Sequence, residues 1–177
     1  MRKYLYTHLI FLIVVFAVVT LIKRWFSLGY LAFWAGGILG TFLPFLDQLV
    51  YVFFLRPQDL DSLRVREILA KKQVYKAIEF IFATSKERDN LIFHTAFMQI
   101  FFLIFAFWVV SSSGNLFGKG LVVGLVLSLS TDQFRDLLEK GQINSWFSDF
   151  KISLSREKAL FYWLLTFLFV LYLAFMA

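Results

Sequence analysis

Five apolar runs, at 4–22, 30–55, 91–110, 116–132 and 159–176, limit this chain to very few solvents and folds. A stretch of about twenty such residues matches the hydrocarbon thickness of a bilayer. Lipid offers no hydrogen bonds to the backbone, so each run must satisfy its own polar groups as a helix. The run at 4–22 is longer than the apolar core of a cleaved leader and shows no small-residue cleavage site, so it reads as a retained helix. The expectation is an all-α integral membrane protein, a bundle of about five transmembrane helices forming one membrane domain over 1–177.

Composition agrees. Sixty per cent of the residues are hydrophobic and a fifth aromatic, more apolar surface than a water-soluble domain of this size can cover. Cysteine is absent, which excludes disulfides, thiol catalysis and iron–sulfur clusters. The formal charge of +6 does not form a stripe interleaved with aromatics, so nucleic acid is not the expected partner. The basic residues flank apolar runs, the pattern that sets orientation and meets anionic headgroups.

The basic residues fix the expected sides. Residues 56–90 carry eight and 135–158 carry five, whereas the turn at 111–115 carries none. The first two segments are expected on the cytoplasmic face of a cell membrane, with the N-terminus cytoplasmic and the C-terminus external. Lys23 and Arg24 then fall on the external side, a departure from the rule. The 56–90 segment is amphipathic, with Leu69, Val74, Ile78, Ile81 and Phe82 near helical spacing, and is expected as a cytoplasmic helical hairpin on the membrane surface. The second run contains Gly36, Gly37, Gly40 and Pro44. Proline there should kink or break the helix near Leu43, and both a kinked crossing and a re-entrant segment presenting Asp47 are open. Gly36/Gly40 and Gly120/Gly124 have the small-xxx-small spacing that lets helices approach. That spacing supports packing without establishing an oligomer.

Ionisable groups inside apolar segments are costly, so each is a functional candidate. Four stand out: His8, Asp47, His94 and Asp132. With the orientation above, all four fall in one membrane layer on the cytoplasmic side; Asp47, for instance, lies about 12 Å of helix before Leu55. Thr7, Gln48, Thr95, Ser128 and Thr131 lie close to them in sequence. Two imidazoles and two carboxylates suit a divalent metal, with zinc and iron or manganese the candidates. They suit a hydrogen-bonded network equally well. Two have a plainer reading, too: His8 as an interfacial histidine, Asp132 as the marker of a helix end near water; Asp47 is harder to dismiss, because the apolar stretch 49–55 still follows it.

At these residues the chain resembles the bacterial inner-membrane metal-dependent hydrolase family of the YdjM/YbcI type. Its members carry an early Thr-His, a glycine-rich segment leading to Leu-Pro-Asp-x-Asp-His, a Thr-His-Ser element and a later His-x-x-x-Asp. Thr7-His8, the segment from Gly40 to Gln48, Phe93-His94-Thr95, and Ser128 through Asp132 are similar to these in order. Phe45, Gln48 and Ser128 stand where that pattern has an acid and two histidines. The resemblance implies a hydrolase centre in which His8, Asp47, His94 and Asp132 hold a metal and Asp47 also serves as base towards a lipid or phosphoester. The missing ligands leave open a non-catalytic scaffold or partner-binding protein, and a small ion or proton-coupled transporter ranks behind both.

Overall fold

The computed structural model describes residues 2–84, 91–150 and 152–177, and among them every regular element is helical. In order these are α1 (Arg2–Lys23), α2 (Leu31–Phe42), α3 (Phe45–Val50), α4 (Leu60–Ala70), α5 (Val74–Ala83), α6 (Ala96–Ser112), α7 (Leu116–Lys140) and α8 (Arg156–Met176). Tyr6–Lys23, Leu28–Leu55 and Arg156–Met176 are long and apolar enough to cross a membrane, whereas Ala96–Ser112 is apolar but shorter. The chain is therefore an all-helical protein with three clear candidate crossings.

Helix α7 is the axis of the fold. Every residue from Val122 to Gln133 is buried, and a helix covered on all sides must be surrounded by others. It is flanked by α1, α2, α6 and α8. The ring of Phe11 on α1 lies 5.8 Å from Phe134, and Trp163 on α8 stacks on Phe134 at 4.7 Å. Lipid tails are as apolar as leucine, so helices in lipid associate by close packing and hydrogen bonds and not by escape from solvent.

The closest packing is between α2 and α7, which run parallel. A β-carbon on Gly36 would enter the Phe117 carbonyl, one on Gly40 the Leu121 carbonyl, one on Gly120 the Phe33 carbonyl, and one on Gly124 the Gly37 carbonyl. The two small-residue motifs thus face each other inside a single chain. Gly37 is needed for another neighbour: its missing side chain makes room for the Phe16 ring of α1, which stacks on Phe33 at 4.4 Å.

Pro44 bends the second segment without opening it. Leu43 (φ −58°, ψ −41°) and Pro44 (φ −60°, ψ −22°) keep right-handed helical angles. The Gly40 carbonyl, which proline cannot serve, accepts from the Leu43 N–H at 3.1 Å. Tight three-residue bonds continue from Leu46 to Leu43 and from Asp47 to Pro44. A wide turn over Tyr51–Leu55 follows, closed by the Arg56 N–H on the Tyr51 carbonyl at 2.9 Å. Across the bend, the Ser128 hydroxyl donates to the Thr41 carbonyl at 3.1 Å. The kinked reading holds, and the bend still turns Asp47 into the protein, where it is fully buried.

Two boundaries differ most from expectation. The helix expected from residue 91 begins at Ala96, because Leu91–Thr95 is irregular backbone and Thr95 caps the helix by accepting from the Met98 N–H. The helix expected to end at Asp132 continues to Lys140 and stops at Gly141, whose φ of 69° is left-handed. Its last two turns are charged, which hides their helicity from a search for apolar runs. The surface hairpin is present as α4 and α5, packed through Val65, Ala77 and Ile81, while its expected end at 85–90 lies outside the described residues.

Candidate functional site

The four ionisable residues arrive from four separate places: His8 from α1, Asp47 from α3, His94 from the irregular stretch before α6, and Asp132 from α7. They meet in a linear string. Asp47 Oδ2 lies 3.1 Å from His94 Nδ1, and Asp132 Oδ2 lies 3.3 Å from His94 Nε2. On its far side Asp132 presents Oδ1 to His8 Nε2 at 3.2 Å. A neutral imidazole can donate only one of the two His94 contacts, and a doubly protonated ring donates both.

Asp47 anchors one end. Its Oδ1 accepts the Ile92 N–H at 3.0 Å, and its Oδ2 accepts the Phe93 N–H at 2.7 Å. Buried irregular backbone needs such acceptors, so this carboxylate makes the non-helical approach to α6 tolerable. With both oxygens engaged and no exposed surface, Asp47 does not face solvent in the way a base towards water must. His94 is the more accessible member, with 18% of its side chain exposed and its ring 5.4 Å from that of Trp146. Arg135 approaches Asp132 Oδ1 at 3.9 Å and Glu139 at 3.7 Å. Asp132 is buried about two turns short of the end of α7 and marks no helix end.

Side chains near the four in sequence have other tasks. Thr95 donates to the Ile92 carbonyl, Thr131 to the Leu127 carbonyl, and Ser128 to Thr41. Among the described residues, no three histidine, aspartate or glutamate side chains are gathered about a common point as a metal would require. The string nevertheless has one feature of metal chemistry. His8 and His94 both direct Nε2 at Asp132, while Asp47 holds Nδ1 of His94 from behind, as outer carboxylates do for metal-bound histidines.

A second buried polar cluster went unseen in the sequence. Gln99 on α6 and Gln133 on α7 exchange amide hydrogen bonds, at 3.0 Å and 2.6 Å, and the Tyr162 hydroxyl on α8 donates to Gln99 Oε1 at 2.9 Å. Trp163 Nε1 donates to the Ser130 carbonyl at 3.0 Å. The available signals were positional: Gln133 follows Asp132, and Gln99 is one turn beyond Thr95. Amides do not titrate, so a search for charges inside apolar runs passes over them. Changing Gln99 alone to leucine should strand the Gln133 amide and destabilise by about 1–3 kcal/mol, whereas the double change to leucine should be nearer neutral. Thermal unfolding in detergent checks this, and a double variant worse than the sum of the singles would overturn the pairing.

No family model, curated protein or solved structure matches the chain.

Proposed function

We propose that this is a five-crossing membrane protein with a cytoplasmic N-terminus, and that its His/Asp string is a fastener in a non-catalytic scaffold. Alternation supports the crossings: α1, α6 and α8 run from the string end to the Ser111–Ser113 end, and α2 and α7 run back. Trp25, Tyr30, Trp34 and Trp108 collect at one end and Tyr51, Trp146, Tyr162 and Trp163 at the other, the two belts expected of a bilayer protein. The surface left for interaction is the α4–α5 pair, where Arg64, Lys71 and Lys72 lie beside exposed Leu60 and Leu63. It suits the anionic headgroups of the cytoplasmic leaflet of a plasma or inner membrane.

One observation carries the fastener reading: both nitrogens of His94 and both oxygens of Asp47 and Asp132 have partners within the protein. A string closed on itself joins four segments and presents no free nucleophile or base. The second reading, a divergent metal-dependent hydrolase, is favoured by the two Nε2 atoms that share Asp132. A metal there would act as Lewis acid on a lipid or phosphoester oxygen.

The test is metal analysis of protein purified in detergent from cells supplied with zinc, iron and manganese. The fastener predicts well under one metal per chain, the same in wild type and His94→Ala. About one equivalent in wild type that disappears in His94→Ala would replace this reading with the second.

A further inference from the structure

We propose that the end of the bundle opposite the His/Asp string binds the phosphate of an anionic lipid headgroup through Lys23, Arg24 and Lys119. The charges at that end are one-sided. The carboxylates that are described lie elsewhere: Asp47 and Asp132 in the string, Asp59, Asp61, Glu67 and Glu79 in or beside α4 and α5, Asp136 and Glu139 in the last turns of α7, and Glu157 at the start of α8. Among the described residues no side-chain carboxylate pairs with Lys23, Arg24 or Lys119, and a bilayer supplies anions at headgroup depth.

The local structure holds these cations in place. The Lys23 ammonium sits 4.6 Å over the Trp25 ring, and Trp25 stacks on Tyr30 at 4.6 Å. Lys23 and Lys119 are both half-buried, and Trp25 packs edge-on at 5.5 Å against Phe33, whose carbonyl meets Gly120, the neighbour of Lys119, so the two lysines lie at one corner of the bundle. Two like charges brought together are repulsive until an anion lies between them. Lys119 also donates to the Ala177 main-chain oxygen at 3.0 Å, so its position is set from α8 as well.

Arg24 adds an independent observation. The end of α1 is closed by the Trp25 N–H on the Thr20 carbonyl at 3.0 Å and the Arg24 N–H on the Leu21 carbonyl at 3.3 Å. That motif places Arg24 at φ 54°, a left-handed position where glycine is usual. A guanidinium is kept there at a cost in backbone strain, and it is exposed, next to Lys23 in the chain. Guanidinium binds phosphate as a planar fork and ammonium as a point charge. Aromatic rings at this depth anchor the rim.

This inference rests on the membrane reading. The experiment uses the full chain in nanodiscs of phosphatidylcholine containing a minor fraction of phosphatidylglycerol, with bound lipid counted by native mass spectrometry after release. Wild type should retain phosphatidylglycerol over phosphatidylcholine, and Lys23→Gln/Lys119→Gln should lose most of that preference, several-fold. Arg24→Gln should lose part of it, while Lys140→Gln, at the other end and already paired with Asp136, should keep it. Equal retention in the Lys23/Lys119 variant and wild type overturns the proposal. So does a preference that millimolar inorganic phosphate abolishes without any lipid being retained. Near-ultraviolet circular dichroism of each variant separates lost binding from lost folding. Failure of the chain to enter nanodiscs at all would instead sink the membrane reading.

Discussion

Gly40→Ala is expected to lower the stability of the bundle by about 2 kcal/mol, although alanine is the better helix former. The added methyl would enter the Leu121 carbonyl of α7, and backbone cannot swing aside as a side chain can. Overpacking of this kind costs about 1–3 kcal/mol or more, against about 1 kcal/mol gained in helix propensity. The clash wins. Gly40→Leu should prevent the native packing altogether. Gly118→Ala, in the same α7, is the control: nothing lies within 4 Å of its added carbon, so only the propensity gain remains. Unfolding in mixed micelles, followed by tryptophan fluorescence, should therefore give opposite signs for Gly40→Ala and Gly118→Ala. The same sign in both would mean that α2 and α7 do not meet through their glycines.

Asp132→Ala should cost more, about 3–5 kcal/mol, the range for removing one partner of a buried ionic pair. Asp132 is the hub of the string, touching His8 at 3.2 Å and His94 at 3.3 Å, so its loss leaves two imidazoles without their carboxylate. Asp132→Asn keeps the shape and one acceptor and should fall between Asp132→Ala and wild type. Asp47→Ala should be nearly as damaging for a different reason. It removes the acceptor of two main-chain N–H groups, each worth about 1–3 kcal/mol when stranded in a buried site. Melting temperatures in one detergent order these variants, and an Asp132→Ala protein within about 0.5 kcal/mol of wild type, as surface changes are, would remove the fastener.

The four ionisable residues were legible because charge inside an apolar run is its own signal. Their meeting was legible too, since helix direction and run length place them at one depth. What could not be read was the linear order. That Asp132 stands between two histidines, and Asp47 behind one of them, depends on rotation of each helix about its axis, which an apolar run with no polar face does not specify. Asp47 illustrates the gap. Its position after Pro44 suggested chemistry, but its oxygens hold the backbone of Ile92 and Phe93, a contact 45 residues away in sequence. The glycine pairs were visible as motifs, but not that each was the other's partner. The charged end of α7 was lost for the reason that made the spans easy: hydropathy finds lipid, not helix.

The parallel contact of α2 with α7 also sets an order of assembly. Ser128 reaches back to Thr41 across 87 residues, and the glycine groove of α2 has no counterpart until α7 has been synthesised. In a chain made from its N-terminus the α2 groove therefore waits for α7, whereas the Asp47 carboxylate has its main-chain partners once Ile92 and Phe93 have been made.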